Sequence, residues 1–194
     1  RCVVGVVAVL LVGGLASAQT QTPTSLETGT IVINPQFDDA SSFSDGLALV
    51  RIGDKSGFID KTGSVVINLQ FDDADSFSEG LARVRIGDRE TGKWGFIDKT
   101  GAFVINPQFD ETAAGRLMAD SFSDGLAPVR IGDDETGKWG FIDKTGSVVI
   151  NPQFDLAWSF SEGLAGVRIG SSVSGKYGLI DKTGSVVINP QFDS

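Results

Sequence analysis

One phrase recurs along this chain, and its recurrence restricts the possible folds more than any other feature. Gly63-Ser64-Val65-Val66-Ile67-Asn68, followed by Gln70-Phe71-Asp72, returns as Gly146-Ser147-Val148-Val149-Ile150-Asn151 with Gln153-Phe154-Asp155. It returns again from Gly184, and looser copies start at Gly29 and Gly101. The starts are 34, 38, 45 and 38 residues apart, a period that belongs to tandem-repeat architectures. A unit of that length cannot bury its own apolar face and must stack on its neighbour. A frequent residue is therefore first a repeat residue, and special chemistry is to be sought where the copies disagree.

The stretch 76–109 shows what one unit contains. In Leu81-Ala82-Arg83-Val84-Arg85-Ile86 the apolar side chains Ala82, Val84 and Ile86 alternate with Leu81, Arg83 and Arg85, the period-two pattern of a strand. The place of Arg83 is taken by Leu49, Pro128 and Gly166 in the other copies, which predicts a solvent-facing site. Gly87-Asp88-Arg89-Glu90-Thr91-Gly92 has the composition of a hairpin loop, and Lys93-Trp94-Gly95-Phe96-Ile97 is a second strand. The glycine within it predicts close approach of another backbone or ring. Asp98-Lys99-Thr100-Gly101 reads as a type I turn ending in a glycine bulge. A third, almost wholly apolar strand follows, as in Val148-Val149-Ile150-Asn151, predicted to be buried on both faces and to stop at Pro152. Gln153-Phe154-Asp155 and Ser159-Phe160-Ser161-Glu162-Gly163 connect to the next unit. The fold predicted is all-β: a tandem array of about four three-stranded antiparallel meander repeats, as an open solenoid or propeller-like. Arg51, Arg85, Arg130 and Arg168 recur at one strand position, and a ladder with Asp38, Asp72, Asp110 and Asp155 is expected.

These residues resemble the WG-repeat proteins of bacteria. The signature stands here as Lys93-Trp94-Gly95-Phe96-Ile97-Asp98 and Lys138-Trp139-Gly140-Phe141-Ile142-Asp143. It continues as Phe77-Ser78-Glu79-Gly80-Leu81-Ala82 and Phe160-Ser161-Glu162-Gly163-Leu164-Ala165. Two copies depart from it: Tyr177 replaces the tryptophan, and Ser56-Gly57 lacks the aromatic ring. The resemblance covers the chain after Gly29. It implies a β-rich array, often in exported or cell-surface proteins, with no enzymatic activity and no family active site.

The N-terminus reads differently. Arg1 precedes an apolar run over residues 3–11, and Gly13-Gly14-Leu15-Ala16-Ser17-Ala18 ends in an Ala-x-Ala pattern. This is the form of a secretory signal peptide, and the run is shorter than the roughly 20 residues of a membrane span. The expected division is a signal peptide at 1–18, a linker at 19–28 and the repeat domain at 29–194. The protein would then be exported, to the periplasm, cell surface or medium, and would not be an integral membrane protein after cleavage. A first residue that is not Met, and a last one inside a repeat, read as a fragment of a longer frame.

Composition narrows the chemistry. The single cysteine, Cys2, lies in the predicted signal, and the chain has no histidine. Disulfides, thiolate sites, imidazole-held zinc and Ser-His-Asp catalysis are thereby excluded from the mature chain. The net charge is −9, and loss of Arg1 with the signal makes it −10, a balance opposed to nucleic acid as partner. Asp133-Asp134-Glu135 and Asp72-Asp73-Ala74-Asp75 gather oxygens but lack the alternating spacing of a calcium loop. No metal, cofactor or catalytic residue is expected.

Two departures from the repeat remain. The segment from Phe109 to Phe122 is seven residues longer than its sisters, and Trp158 stands where the alignment puts Ser42 and Ser76. Insertions in repeat proteins project from one face, often the binding face. Partner contact is therefore expected at Trp158, Glu111, Arg116, Leu117 and Met118. The function predicted is a non-catalytic module for binding or scaffolding a protein or glycan, whose identity the residues do not specify. The alternatives are a structural envelope element without specific ligand, and an accessory region of a larger enzyme.

Overall fold

The computed structural model describes residues 33–110, 121–132 and 136–192. The predicted signal peptide and linker lie outside the described residues. Fifteen strands form four antiparallel sheets, one per repeat. The first contains β1 (Asp39–Ala40), β2 (Ala48–Ile52), β3 (Lys55–Ile59) and β4 (Val65–Phe71), paired in that order. The second contains β5 (Asp73–Ala74), β6 (Leu81–Ile86), β7 (Lys93–Asp98) and β8 (Phe103–Asp110). The third contains β9 (Leu126–Ile131), β10 (Lys138–Asp143) and β11 (Val148–Phe154). The fourth contains β12 (Leu156–Ala157), β13 (Leu164–Ile169), β14 (Lys176–Asp181) and β15 (Val186–Phe192). The predicted all-β array of three-stranded meanders is present, with a two-residue strand added at one edge in the first, second and fourth sheets. The sheets are open and none closes into a barrel.

The turn between the second and third strands forms as its sequence predicts. Asp60 accepts at its carbonyl from Gly63 N–H at 3.0 Å, and its Oδ1 accepts from Thr62 N–H and Oγ1–H at 2.8 and 2.6 Å. Asp98, Asp143 and Asp181 repeat the arrangement with Thr100, Thr145 and Thr183. The Thr62 hydroxyl, with backbone N–H groups behind it, holds the Asp60 carboxyl below the usual carboxylate range.

The third strand departs from expectation. Val148 and Val149 are exposed, as are Val65, Val66, Val186 and Val187, while Ile67 and Ile150 enter the core. It is the outer strand of its sheet and covers one face only. Nor does Pro152 end it, because β11 runs on to Phe154. Trp139 pairs with Phe154 but Phe141 with Ile150, so the proline lies in a bulge where its missing N–H breaks no ladder bond. The same bulge explains the glycine after each tryptophan. A Cβ on Gly95 would lie 2.6 Å from Ile105 O and 2.7 Å from Pro107 N. The segment 72–77 contains β5.

The core lies between consecutive sheets. Phe58, Ile67 and Phe71 of the first meet Phe77, Ala82, Val84 and Ile97 of the second. Equivalent clusters join the second to the third and the third to the fourth. At each boundary a phenylalanine of the central strand meets the one before the next hairpin edge-on: Phe58–Phe77, Phe96–Phe122 and Phe141–Phe160, with centroids 4.8, 5.0 and 4.9 Å apart. Such pairs contribute about 0.5–1.5 kcal/mol beyond the area they bury.

Candidate functional site

The connector that looked like plain linker is a built structure. Ser44 and Leu47 exchange both backbone hydrogen bonds, with Asp45 at φ 54° and Gly46 at φ 91° between them. Positive φ at both central residues defines a type I′ hairpin turn, repeated at Glu79-Gly80, Asp124-Gly125 and Glu162-Gly163. These turns stack from unit to unit. Gly80 N–H donates to Asp45 Oδ2 at 2.6 Å, Gly125 N–H to Glu79 Oε2 at 2.9 Å, and Gly163 N–H to Asp124 Oδ2 at 2.7 Å. In parallel, the hydroxyls of Ser44, Ser78 and Ser123 each donate at 2.7 Å to the carbonyls of Phe77, Phe122 and Phe160. A polar spine thus runs beside the aromatic core, and the repeated acids are spent on cohesion.

Of the expected arginine–aspartate pairs, Arg85 acts on Asp72 and Arg168 on Asp155 as weaker influences on those carboxyls, and Arg51 is engaged differently. Arg51 reaches across to Asp73 of the next unit, Nη2 to Oδ1 at 3.0 Å, and not to Asp38, whose Oδ2 accepts from Gly53 N–H at 2.7 Å. Asp72 accepts from Lys55 Nζ at 2.6 Å, and Asp155 from Lys138 Nζ at 2.5 Å. In these two units the lysine at the start of the central strand is the nearer cation. The Lys55 ammonium and then Gly87 N–H hold the Asp72 carboxyl low.

Arg83 is not solvent-facing. It is 2% exposed, its guanidinium lies 4.2 Å from the Trp94 ring centroid, and its Nε donates to Asp75 Oδ2 at 2.7 Å. The ring and the carboxylate together desolvate and pair the charge, which makes burial tolerable. In the fourth unit the same space is filled from the other side. Trp158 lies over Gly166, where an added Cβ would meet its Cε3 at 2.8 Å, and its ring is 5.4 Å from that of Tyr177 at an angle of 34°. Trp158 N–H bonds Gly166 O as Asp75 N–H bonds Arg83 O and Ser41 N–H bonds Leu49 O. Its true counterparts are therefore Ser41 and Asp75, one residue before Ser42 and Ser76. Asp75–Arg83 and Trp158–Gly166 are two volume-matched ways of covering an aromatic ring.

Trp158 nevertheless stays 46% exposed. The other nominated contacts, Glu111, Arg116, Leu117 and Met118, lie outside the described residues, as do Asp133, Asp134 and Glu135. The carboxylates of Asp72, Asp73 and Asp75 are committed to Lys55, Arg51 and Arg83. Among the described residues no group of three or more acidic, histidine or cysteine side chains is placed to hold a metal. No helix among them is long and apolar enough to cross a membrane.

Fold and spine together define a tandem β-meander array whose units join through stacked turns and edge-on rings. The family model described as "WG containing repeat" matches residues 27–55, 57–89, 94–133, 139–171 and 177–194, and the chain belongs to that family. No curated protein matches it. Among solved structures, the crystal structure of the tricorn protease is similar at 14% identity and a TM-score of 0.45 over 77% of this chain. The chain spans 16% of that protein's length.

Proposed function

We propose that the chain is an exported, non-catalytic repeat module that holds a protein or glycan partner, with Trp158 at the contact. The observation behind this reading is the indole of Trp158. At 46% exposure it presents a broad apolar face beside the half-buried ring of Tyr177, where sister units present Ser41 or Asp75. A large, stiff aromatic with an N–H donor suits the centre of a protein contact or the face of a sugar ring. The acids of the repeat, by contrast, cap turns or join units, which favours a scaffold over a catalyst.

The test compares the wild type with Trp158→Asp/Gly166→Arg, which restores the pairing seen at Asp75 and Arg83 and removes the exposed indole. Capture of one envelope protein, or of one glycan from an array, should be lost in the variant while circular dichroism stays unchanged. Equal capture by both proteins would remove Trp158 from the contact. Export predicts recovery outside the cytosol of a chain beginning at Gln19.

A purely structural role is the second reading, favoured by the spine. Its bonds spend Asp45, Glu79 and Asp124 on joining one unit to the next. Self-association without capture of any partner would support this role.

A further inference from the structure

The first unit lacks a ring that the others possess, and the vacancy persists in the folded protein. Ser56 pairs with Phe71, as Trp94 pairs with Phe109, Trp139 with Phe154 and Tyr177 with Phe192, so the four residues are structural equivalents. Trp94 and Trp139 are buried, and Tyr177 is roofed by Trp158. No described residue refills the place at Ser56. Ser41 and Leu49 replace Asp75 and Arg83 there, and neither side chain is long enough to compensate. A cavity of about 210 Å³ remains, lined by Asp39, Ser41, Leu49, Arg51, Ser56 and, from the second unit, Ala74. A cavity of about 150 Å³ is enough to admit benzene.

The lining keeps the features that hold a ring in the other units. Arg85 lies 5.7 Å from the Trp94 centroid and Arg168 6.0 Å from that of Tyr177. Arg51, at the same strand position, lines the cavity with its guanidinium tethered by Asp73 at 3.0 Å. Leu49 stands where Arg83 covers the Trp94 face. Ala74 stands where Ala157 shares a cluster with Trp139. At the floor Ser56 is 1% exposed. A mostly polar rim with Leu49 and Ala74 behind it, a cation placed for a π face and a serine at the floor describe a socket for a flat ring bearing a polar atom.

We propose that the cavity at Ser56 binds a neutral planar aromatic ring of about the size of indole, taking the place that Trp94 and Trp139 fill in their own units. Arg51 lies against the ring face and the Ser56 hydroxyl meets its polar atom. The site is separate from Trp158 and stands or falls independently of the reading given for it.

The probe is indole itself, with N-acetyltryptophanamide as the second arm, titrated into the 194-residue chain and followed by amide chemical shifts. Saturable shifts confined to the surroundings of Ser41, Leu49, Ser56 and Ala74 are expected. Binding of both probes assigns the site to a tryptophan side chain of a partner, and binding of indole alone assigns it to a free small molecule. Ser56→Trp should raise Tm and weaken indole binding at least tenfold. Absence of saturable shifts with either probe in the folded wild type would overturn the proposal. So would undiminished binding to Ser56→Trp, or failure of that variant to fold, which would show the space too small for the ring.

Discussion

Gly80 N–H donates to the carboxylate of Asp45 at 2.6 Å, although 35 residues separate them and they belong to different units. The bond ties two type I′ turns together, and Asp45 accepts it from a left-handed conformation with φ 54°. Aspartate visits that region more readily than most side chains, so one residue both permits its own turn and anchors the next. The same pairing at Gly125–Glu79 and Gly163–Asp124 makes the spine continuous across all three boundaries.

Removing an acid from this spine should cost more than its partial exposure suggests. Asp124→Ala loses the bond to Gly163 and places alanine at φ 55°. A net hydrogen bond is worth about 1 kcal/mol, and alanine, lacking the local hydrogen bond that eases aspartate into left-handed backbone, adds part of the roughly 1–2 kcal/mol cost of that region. A loss of about 2 kcal/mol is expected in urea unfolding. Asp124→Asn keeps an acceptor and tolerates the conformation, and should lose about half as much.

Gly140→Ala should be among the most damaging substitutions available. Its Cβ would collide with Ile150 O and approach Pro152 N to 2.7 Å, both of them backbone atoms held in the bulge. Neither can swing aside, and overpacking of that kind costs typically 1–3 kcal/mol or more. Gly166→Ala meets only the Trp158 side chain, which has open solvent on its other face, so its midpoint should fall less. A larger loss at Gly166 than at Gly140 would contradict this account of the bulge.

Acid should weaken the turns that carry Asp60, Asp98, Asp143 and Asp181. Threonine hydroxyls, the largest influence on each, hold all four carboxyls below their ordinary range in the fold. A depressed folded value means that their contribution is complete above the unfolded value of about 3.9. It is lost as pH falls through the folded value. Tm measured from neutral pH to about pH 2 should drop less steeply when all four are replaced by Asn, which keeps an acceptor but cannot be protonated. Parallel pH profiles for the two proteins would show that the turns do not carry the acid response.

How much was legible in the sequence followed the range of the interactions. The turn at Asp60 was readable because every bond that defines it closes within four residues. The strand from Val65 was readable as a strand, but not its exposed outer face, because a run of valines does not say whether a sheet has a neighbour on one side or two. Trp158 lies four residues after Phe154, as Asp75 lies four after Phe71 and Ser41 four after Phe37, so its counterparts were legible by counting, whereas its packing over Gly166 was not. The vacancy at Ser56 was visible as a missing ring, whereas the cavity was not, because other residues could have filled it.

Arg83 marks the boundary most clearly. Comparing it with Leu49, Pro128 and Gly166 suggested a place open to solvent, yet its side chain is buried between Trp94 and Asp75. Sequence alone determined the repeat, the Asp60-type turns, the order of the three main strands and the family. Tertiary structure decided which faces are buried, which acids join units and where a ring is missing. Turn hydrogen bonds are local and are written in consecutive residues, whereas burial depends on what the next sheet places opposite, some 30 to 45 residues along the chain.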